Sequence, residues 1–254
     1  MRIEDMVCDD VRDVHTLISG SFEARLRPYM TAAQPGAARF LEAYVRTAAF
    51  NPDRRYRVAR SDSGQLLGFA DLRLIGDTSC FLSYIAVSRA ARGRGVASAI
   101  LDDFLSEHPY LRSMELDVFA DNVAARALYE KRGFRETGAV EWWVREVPPK
   151  SAVPSGWVLK NAPEAAAWHF SFGFCNYLVD TGSSTRNVGH IGSRTLRCYS
   201  AGDFTDRDFL AGMAALVPAA REALFIGPSS IGVRLSGCSS VNTSIRMTCP
   251  LVAE

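Results

Sequence analysis

Apolar residues are spaced differently in successive stretches of the chain, and the spacing predicts the elements. Cys80 to Val87 is an almost unbroken apolar run, rich in β-branched and aromatic residues, that stops at Ser88. A short run of this kind predicts a strand buried on both faces. Val96, Ile100, Leu101 and Phe104 follow at helical spacing and predict a helix with one apolar side. Upstream, Ile3 to Val7 reads as a short strand, and Asp9 or Asp10 as the cap of a helix carrying Val11, Val14, Leu17 and Ile18 on one face. A second helix follows Pro35, with Phe40, Leu41, Tyr44, Val45 and Ala48 at helical spacing. Tyr56 to Arg60 and Leu66 to Ile75 read as strands joined by the turn composition Ser61-Asp62-Ser63-Gly64. Downstream, Met114 to Phe119 alternates around Leu116 and Val118. A short helix opens at Asp121-Asn122 and turns Ala125 and Leu128 inward, and Arg135 to Val147 supplies one or two strands.

Between the central strand and its helix lies Arg92-Gly93-Arg94-Gly95-Val96-Ala97. Two glycines let the backbone turn sharply and let a ligand approach the main chain. The free N–H groups of the helix start carry the positive end of the dipole. With Arg92 and Arg94 alongside, the stretch predicts an anion site suited to a pyrophosphate. A P-loop would carry Lys-Ser/Thr after its second glycine, where Val96-Ala97 stands. A dinucleotide fingerprint would carry a third glycine where Ser98 stands.

The order R-x-x-G-x-A after an apolar strand resembles motif A of the GCN5-related N-acetyltransferases (GNAT). A second resemblance lies in residues 116–138, where Leu116, Val118, Asn122, Ala125, Tyr129, Gly133 and Phe134 fall at the family's intervals. The resemblance covers roughly residues 1–148. It implies an α/β fold with a mixed, mostly antiparallel twisted sheet and helices on both faces. It implies acetyl-CoA as acyl donor, with the pyrophosphate on Arg92, Gly93, Arg94, Gly95, Val96 and Ala97. Ile85, Ala86 and Val87 then offer strand-like backbone pairing to pantetheine. Asn122 contacts the cofactor as well as capping its helix, and Tyr129 protonates the departing thiolate. Without the motif, Tyr129 would read as a half-buried core tyrosine. The glutamate that many relatives carry on the central strand has no counterpart, because Cys80 to Val87 contains no acid. Asp71, Glu115 and Asp117 on neighbouring strands are the candidate bases. A water chain, or an amine arriving neutral, would need none. Glu23, Arg25, Arg27 and Tyr29 fall where relatives line the acceptor pocket.

Pro148 to Gly156 reads as a linker, which divides a domain of residues 1–148 from a smaller α/β domain of residues 157–254, with 149–156 between. The second part echoes the first twice. Residues 157–180 match at an offset of 40, with Gly173-Phe174 on Gly133-Phe134 and His169 on Tyr129. At about 99, Gly232, Arg234 and Gly237 fall on Gly133, Arg135 and Gly138. A decayed GNAT-like half without its own cofactor site accounts for this, since no R-x-x-G-x-A follows residue 150. The nearest glycine-rich stretch there is Gly189-His190-Ile191-Gly192. Thr195 to Ser200 reads as a strand, and a helix from about Thr205 carries Phe209, Leu210, Met213, Leu216 and Val217 on one side.

Composition narrows the partners. The chain has 254 residues, 48% of them apolar, and a net charge of +1. That balance disfavours nucleic acid and anionic membrane. The polar, acidic start resembles neither a signal nor a transit peptide, so a cytoplasmic protein is expected. Six scattered cysteines lack C-x-x-C spacing, and no metal is expected. His169 and His190 read as isolated. The expected activity is acetyl transfer to a primary amine, first of a small molecule, second of a peptide or protein. A catalytically silent acyl-CoA-binding scaffold and acyl-CoA hydrolysis or decarboxylation stay open, as does a homodimer.

Overall fold

The computed structural model describes residues 1–149, 152–231 and 237–251. Two compact units interleave along the chain. Met1–Glu23, Ala38–Gly138 and Ser244–Glu254 make the first; Ala24–Ala37 and Ala139–Thr243 make the second. A single cut between Pro148 and Gly156 does not generate them. Lys150 and Ser151 of that stretch, and Gly232 and Arg234 of the longer echo, lie outside the described residues.

In the first unit, strands β1 (Arg2–Asp5), β2 (Arg54–Arg60), β3 (Leu66–Ile75), β4 (Ser79–Val87) and β5 (Ser113–Phe119) lie side by side in that order. The sheet continues with Ser244–Pro250 of the last strand, β12 (Cys238–Pro250), antiparallel to β5. Among the described residues of this unit only the β4–β5 pair is parallel. A parallel pair needs a crossover, which is the work of helix α3 (Val96–Glu107). Its apolar side, Val96, Ile100, Leu101 and Phe104, is buried as the spacing predicts, in one core with Leu82, Met114 and Leu116. Helix α1 (Val11–Ser21) packs on β3 and β4, with Val14 and Ile18 buried. Helices α2 (Ala37–Arg46) and α4 (Val123–Lys131) complete the helical set.

Two local expectations fail. Asp10 stands at the N-cap of α1, yet its side chain caps nothing there. It accepts from the Val7 N–H at 2.9 Å and pairs with Arg60. Strand β4 is less enclosed than its apolar run suggests. Phe81 and Ser83 are only half-buried, and the Phe81 ring is covered by the guanidinium groups of Arg73 and Arg246 at 5.2 and 5.4 Å. An apolar stretch records its own hydrophobicity, and long basic side chains can cover it as well as a helix can.

The second unit has the same plan. Strands β7 (Val158–Leu159), β8 (Phe174–Asp180), β9 (Thr185–Ile191), β10 (Thr195–Cys198) and β11 (Glu222–Pro228) lie in order. Residues 139–146 of β6 (Arg135–Glu146) follow, antiparallel to β11. Again β10–β11 pair in parallel, and helices α6 (Ala201–Thr205) and α7 (Arg207–Leu216) cross over. Phe209, Leu210, Met213 and Val217 are buried as expected. Helix α5 (Ala162–Phe172) precedes β8, and a Cβ at Gly36 would lie 2.5 Å from the Phe172 main chain, so only glycine fits there.

Each unit thus takes its sixth strand from the far side of the chain. β6 follows α4 in sequence but pairs with β11, and β12 follows β11 but pairs with β5. The exchange covers edges that would otherwise present unpaired N–H and C=O groups. Trp142 and Trp143 accordingly belong to the second unit, with Trp143 stacked on Phe225 at 5.7 Å. The echo at offset 40 pairs elements that are not equivalent, because β8 holds the place of β2. It reflects a local pattern, a helix closed by a left-handed glycine and followed by a strand, shared by Gly133 and Gly173. The echo at 99 sets β12 on β6, which do hold equivalent places.

Candidate active site

The geometry of the first unit centres on the end of β4. Through Leu82 the strand has a partner on both sides: β5 pairs with Ser79–Leu82 through Ser113–Leu116. At Ser83 the β3–β4 register slips, so that Asp71 faces Tyr84 while Leu72 faces Leu82. Such a bulge bends a strand and ends pairing. Beyond it, β4 pairs with β3 up to Val87, but no β5 residue pairs with Tyr84, Ile85, Ala86 or Val87. The two strands part there, and among the described residues the backbone of Ile85 and Ala86 has no β5 partner.

The chain then runs through a 3-10 turn, Arg89–Ala91, into the glycine turn. Gly93 and Gly95 have φ of +73° and +78°, a conformation that costs other residues strain. A Cβ at either would meet nothing within 4 Å, so open space lies above the turn. Gly95 is the N-cap of α3 and offers no side-chain acceptor. The first bond of the helix runs from Ala99 N–H to Gly95 O at 2.9 Å, which leaves the N–H groups of Val96, Ala97 and Ser98 without an acceptor among the described residues. Arg92 and Arg94 are exposed and make no ion pair among those residues; Arg92 Nε reaches only Val87 O at 3.3 Å. A helix start with spare donors, flanked by two unpaired cations, fits a pyrophosphate.

Asn122 caps α4, its Oδ1 accepting from Ala125 N–H at 3.2 Å. Tyr129, on the same helix, is 4% exposed and sits in one core with Ile85 and Val87, its ring 5.6 Å from that of Phe134. Burial pushes its phenol up. Its hydroxyl donates to no protein acceptor among the described residues.

None of the three candidate bases is free. Asp71 is buried and held by Arg54, whose Nε lies 2.8 Å from Oδ1 and whose Nη2 donates to Oδ2. Burial raises the Asp71 carboxyl against the pull of that arginine. Asp117 is gripped by Arg246 through Nε and, at 2.9 Å, through Nη2, and Arg246 Nη1 lies 3.6 Å from Glu115. No local pattern announces these partners: Arg246 arrives on β12. Of the expected acceptor segment, Glu23 stays with the first unit. Arg25 and Tyr29 group with the second, where they bond to Val241 O and, at 3.4 Å, to Glu222. Arg27 groups there too.

The corresponding helix starts of the second unit are already filled. Ser200 Oγ accepts from Asp203 N–H at 3.0 Å and Asp206 Oδ1 from Phe209 N–H at 2.9 Å. Arg186 pairs with both aspartates, at 3.2 and 2.9 Å. Gly189-His190-Ile191 is strand β9, not a turn. His169 and His190 are not isolated either: their rings stack at 4.2 Å. Burial chiefly, with His169 adding to it, holds His190 down at about 4.

Sheet order and crossovers define a GNAT fold in both halves, and the first adds the parted strand. Residues 13–134 match the family model described as the acetyltransferase (GNAT) family. Over 101 residues the chain is 37% identical to the N-alpha-acetyltransferase RimI of Mycobacterium tuberculosis, covering 36% of this chain and 61% of that one. The chain thus spans less than two thirds of that relative. A tandem GNAT protein from the clavulanic acid biosynthesis pathway superposes over 100% of this chain and 99% of its own at a TM-score of 0.68 and 13% identity. An acetyltransferase-like structure from Pyrococcus horikoshii covers 98% and 89% at 0.62 and 14%. Residues 13–134 thus match the GNAT acetyltransferase family, and the chain has the fold of a tandem GNAT protein throughout. Among the described residues no helix is long and apolar enough to cross a membrane.

Proposed function

We propose that the first unit transfers an acetyl group from acetyl-CoA to a primary amine. The observation that carries this is the parted end of β4 beside a bare, glycine-opened helix start. Gly93, Gly95 and the N–H groups of Val96 and Ala97 hold the pyrophosphate, with Arg92 and Arg94 screening its charge. Ile85 to Val87 pair with the amides of the pantetheine arm, and Asn122 borders it. The bound coenzyme supplies the thioester. Tyr129, kept protonated by burial, gives its proton to the sulfur as the amine takes the acyl group. The second unit binds no coenzyme of its own. A small-molecule amine is the first acceptor class. A peptide α-amine is the second reading, favoured by the 37% identity to RimI.

With Asp71, Glu115 and Asp117 all held by arginines, no protein carboxylate is assigned as base. The amine then reacts from its neutral fraction. Thiol release from acetyl-CoA, followed across an amine panel, should show kcat/KM rising about tenfold per pH unit below the pKa of the amine. The rise should level near pH ~8 for an α-amine and near ~10 for an alkylamine. A plateau set by a protein group below pH ~7, whatever the amine, would contradict this scheme. Thiol release without any amine would indicate hydrolysis or decarboxylation, and none at all a silent scaffold.

A further inference from the structure

We infer that Tyr56 and Arg54 form an oxygen-binding subsite for the acceptor, and that the acceptor is an amine bearing a carbonyl or carboxylate oxygen. The inference rests on the reading that the first unit acetylates an amine beside β4. It starts from a row of residues across three strands. Tyr56 on β2 lies directly opposite Asp71 on β3, and Asp71 directly opposite Tyr84 on β4. Residues paired in this way share one face of a sheet. Tyr84 is the first residue beyond the bulge at which β4 parts from β5. Two strand spacings, roughly 10 Å, separate Tyr56 from the parted end of β4.

The row holds unspent donors. Arg54 gives Nε and Nη2 to Asp71, and Nη1 has no protein acceptor among the described residues. Its guanidinium is fixed over two rings, 4.9 Å from that of Tyr44 and 5.2 Å from that of Tyr56. Tyr56 is 7% exposed, and its hydroxyl is enclosed with no hydrogen-bond partner among the described residues. A native buried hydroxyl without a partner is uncommon and destabilising, and a ligand atom is one way to satisfy it. Burial and Asp71 keep the phenol protonated, so it donates.

The charge pattern chooses the ligand. Asp71 is neutralised by Arg54 and has both oxygens engaged, so an ammonium placed here would meet the arginine without a free carboxylate. An oxygen acceptor would meet one neutral and one cationic donor. The Tyr44 ring lies beside this pair, 5.2 Å from that of Tyr56. The amine would then reach toward β4 past Tyr84, whose ring meets Phe22 edge-on at 6.0 Å. A molecule with its amine and its oxygen several bonds apart spans that distance: a peptide with a free amino terminus, or an ω-amino acid.

The test compares the full-length protein with Tyr56→Phe, using a dipeptide, an ω-amino acid and n-butylamine as acceptors. The wild type should favour at least one oxygen-bearing acceptor over butylamine by about tenfold or more in kcat/KM. Preference for the dipeptide would identify a peptide carbonyl, and preference for the ω-amino acid a carboxylate. Tyr56→Phe should remove most of that preference through KM, leave acetyl-CoA affinity unchanged and raise Tm. A wild-type ratio near one would overturn the inference. So would a variant whose Tm rises with the preference intact, since the hydroxyl would then be satisfied by water or by nothing. Absence of thiol release with all three acceptors would instead overturn the acetyltransferase reading, and this inference with it.

Discussion

Gly95→Asp is expected to abolish acetyl-CoA binding while the fold persists. Gly95 has φ of +78°, and a Cβ there would meet no atom within 4 Å. Aspartate is among the few residues that enter this left-handed region readily. At the N-terminus of α3 its carboxylate is also favourable to the helix. Folding therefore loses little. Binding loses much, because the carboxylate would sit where the pyrophosphate must meet the N–H groups of Val96 and Ala97. Hydrogen bonds to charged groups are worth about 1.5–3 kcal/mol each, so forfeiting two lowers affinity by roughly a hundredfold or more. Calorimetry should register that loss with the far-ultraviolet circular dichroism unchanged. Wild-type affinity in the variant would move the cofactor away from this turn.

Tyr129→Phe should lower kcat by ~10²–10⁴, the usual worth of a general acid, and leave acetyl-CoA affinity nearly unaltered. The substitution keeps the ring, which is 4% exposed and packs against Phe134. It deletes a hydroxyl that bonds to no protein acceptor among the described residues, so no native hydrogen bond is lost. A fall in kcat could therefore not be charged to unfolding, and Tm should hold or rise. A wild-type kcat, measured where chemistry limits the rate, would leave Tyr129 as packing alone.

The parts of this site that were legible in the sequence are those built from neighbouring residues. Val96, Ile100, Leu101 and Phe104 declare their helix by spacing, and Gly93 and Gly95 declare the turn by needing φ above zero. Asn122 and Tyr129 sit seven apart on one helix and its cap. What stayed hidden was made by pairing across long separations. Arg246 meets Asp117 only because β12 runs antiparallel to β5. Arg54 meets Asp71 only through the β2–β3 register. The linker composition at Pro148 to Gly156 is real, but composition does not say which edge a strand will cover. β6 pairs with β11 and β12 with β5, and the compact units follow those pairings. The bulge at Ser83, which parts β4 from β5, likewise leaves no trace in an apolar run.

The contrast between the two units carries the central claim. At α3 the helix donors are bare and flanked by free arginines; at α6 and α7 they are closed by Ser200 and Asp206, with acidic charge alongside. A calorimetric titration of the full chain with acetyl-CoA tests this most directly. It should saturate at one molecule per chain, and the same titration of Gly95→Asp should show no binding at that concentration. Saturation at two per chain, or one remaining site in Gly95→Asp, would contradict the account and place a second cofactor site in the second unit.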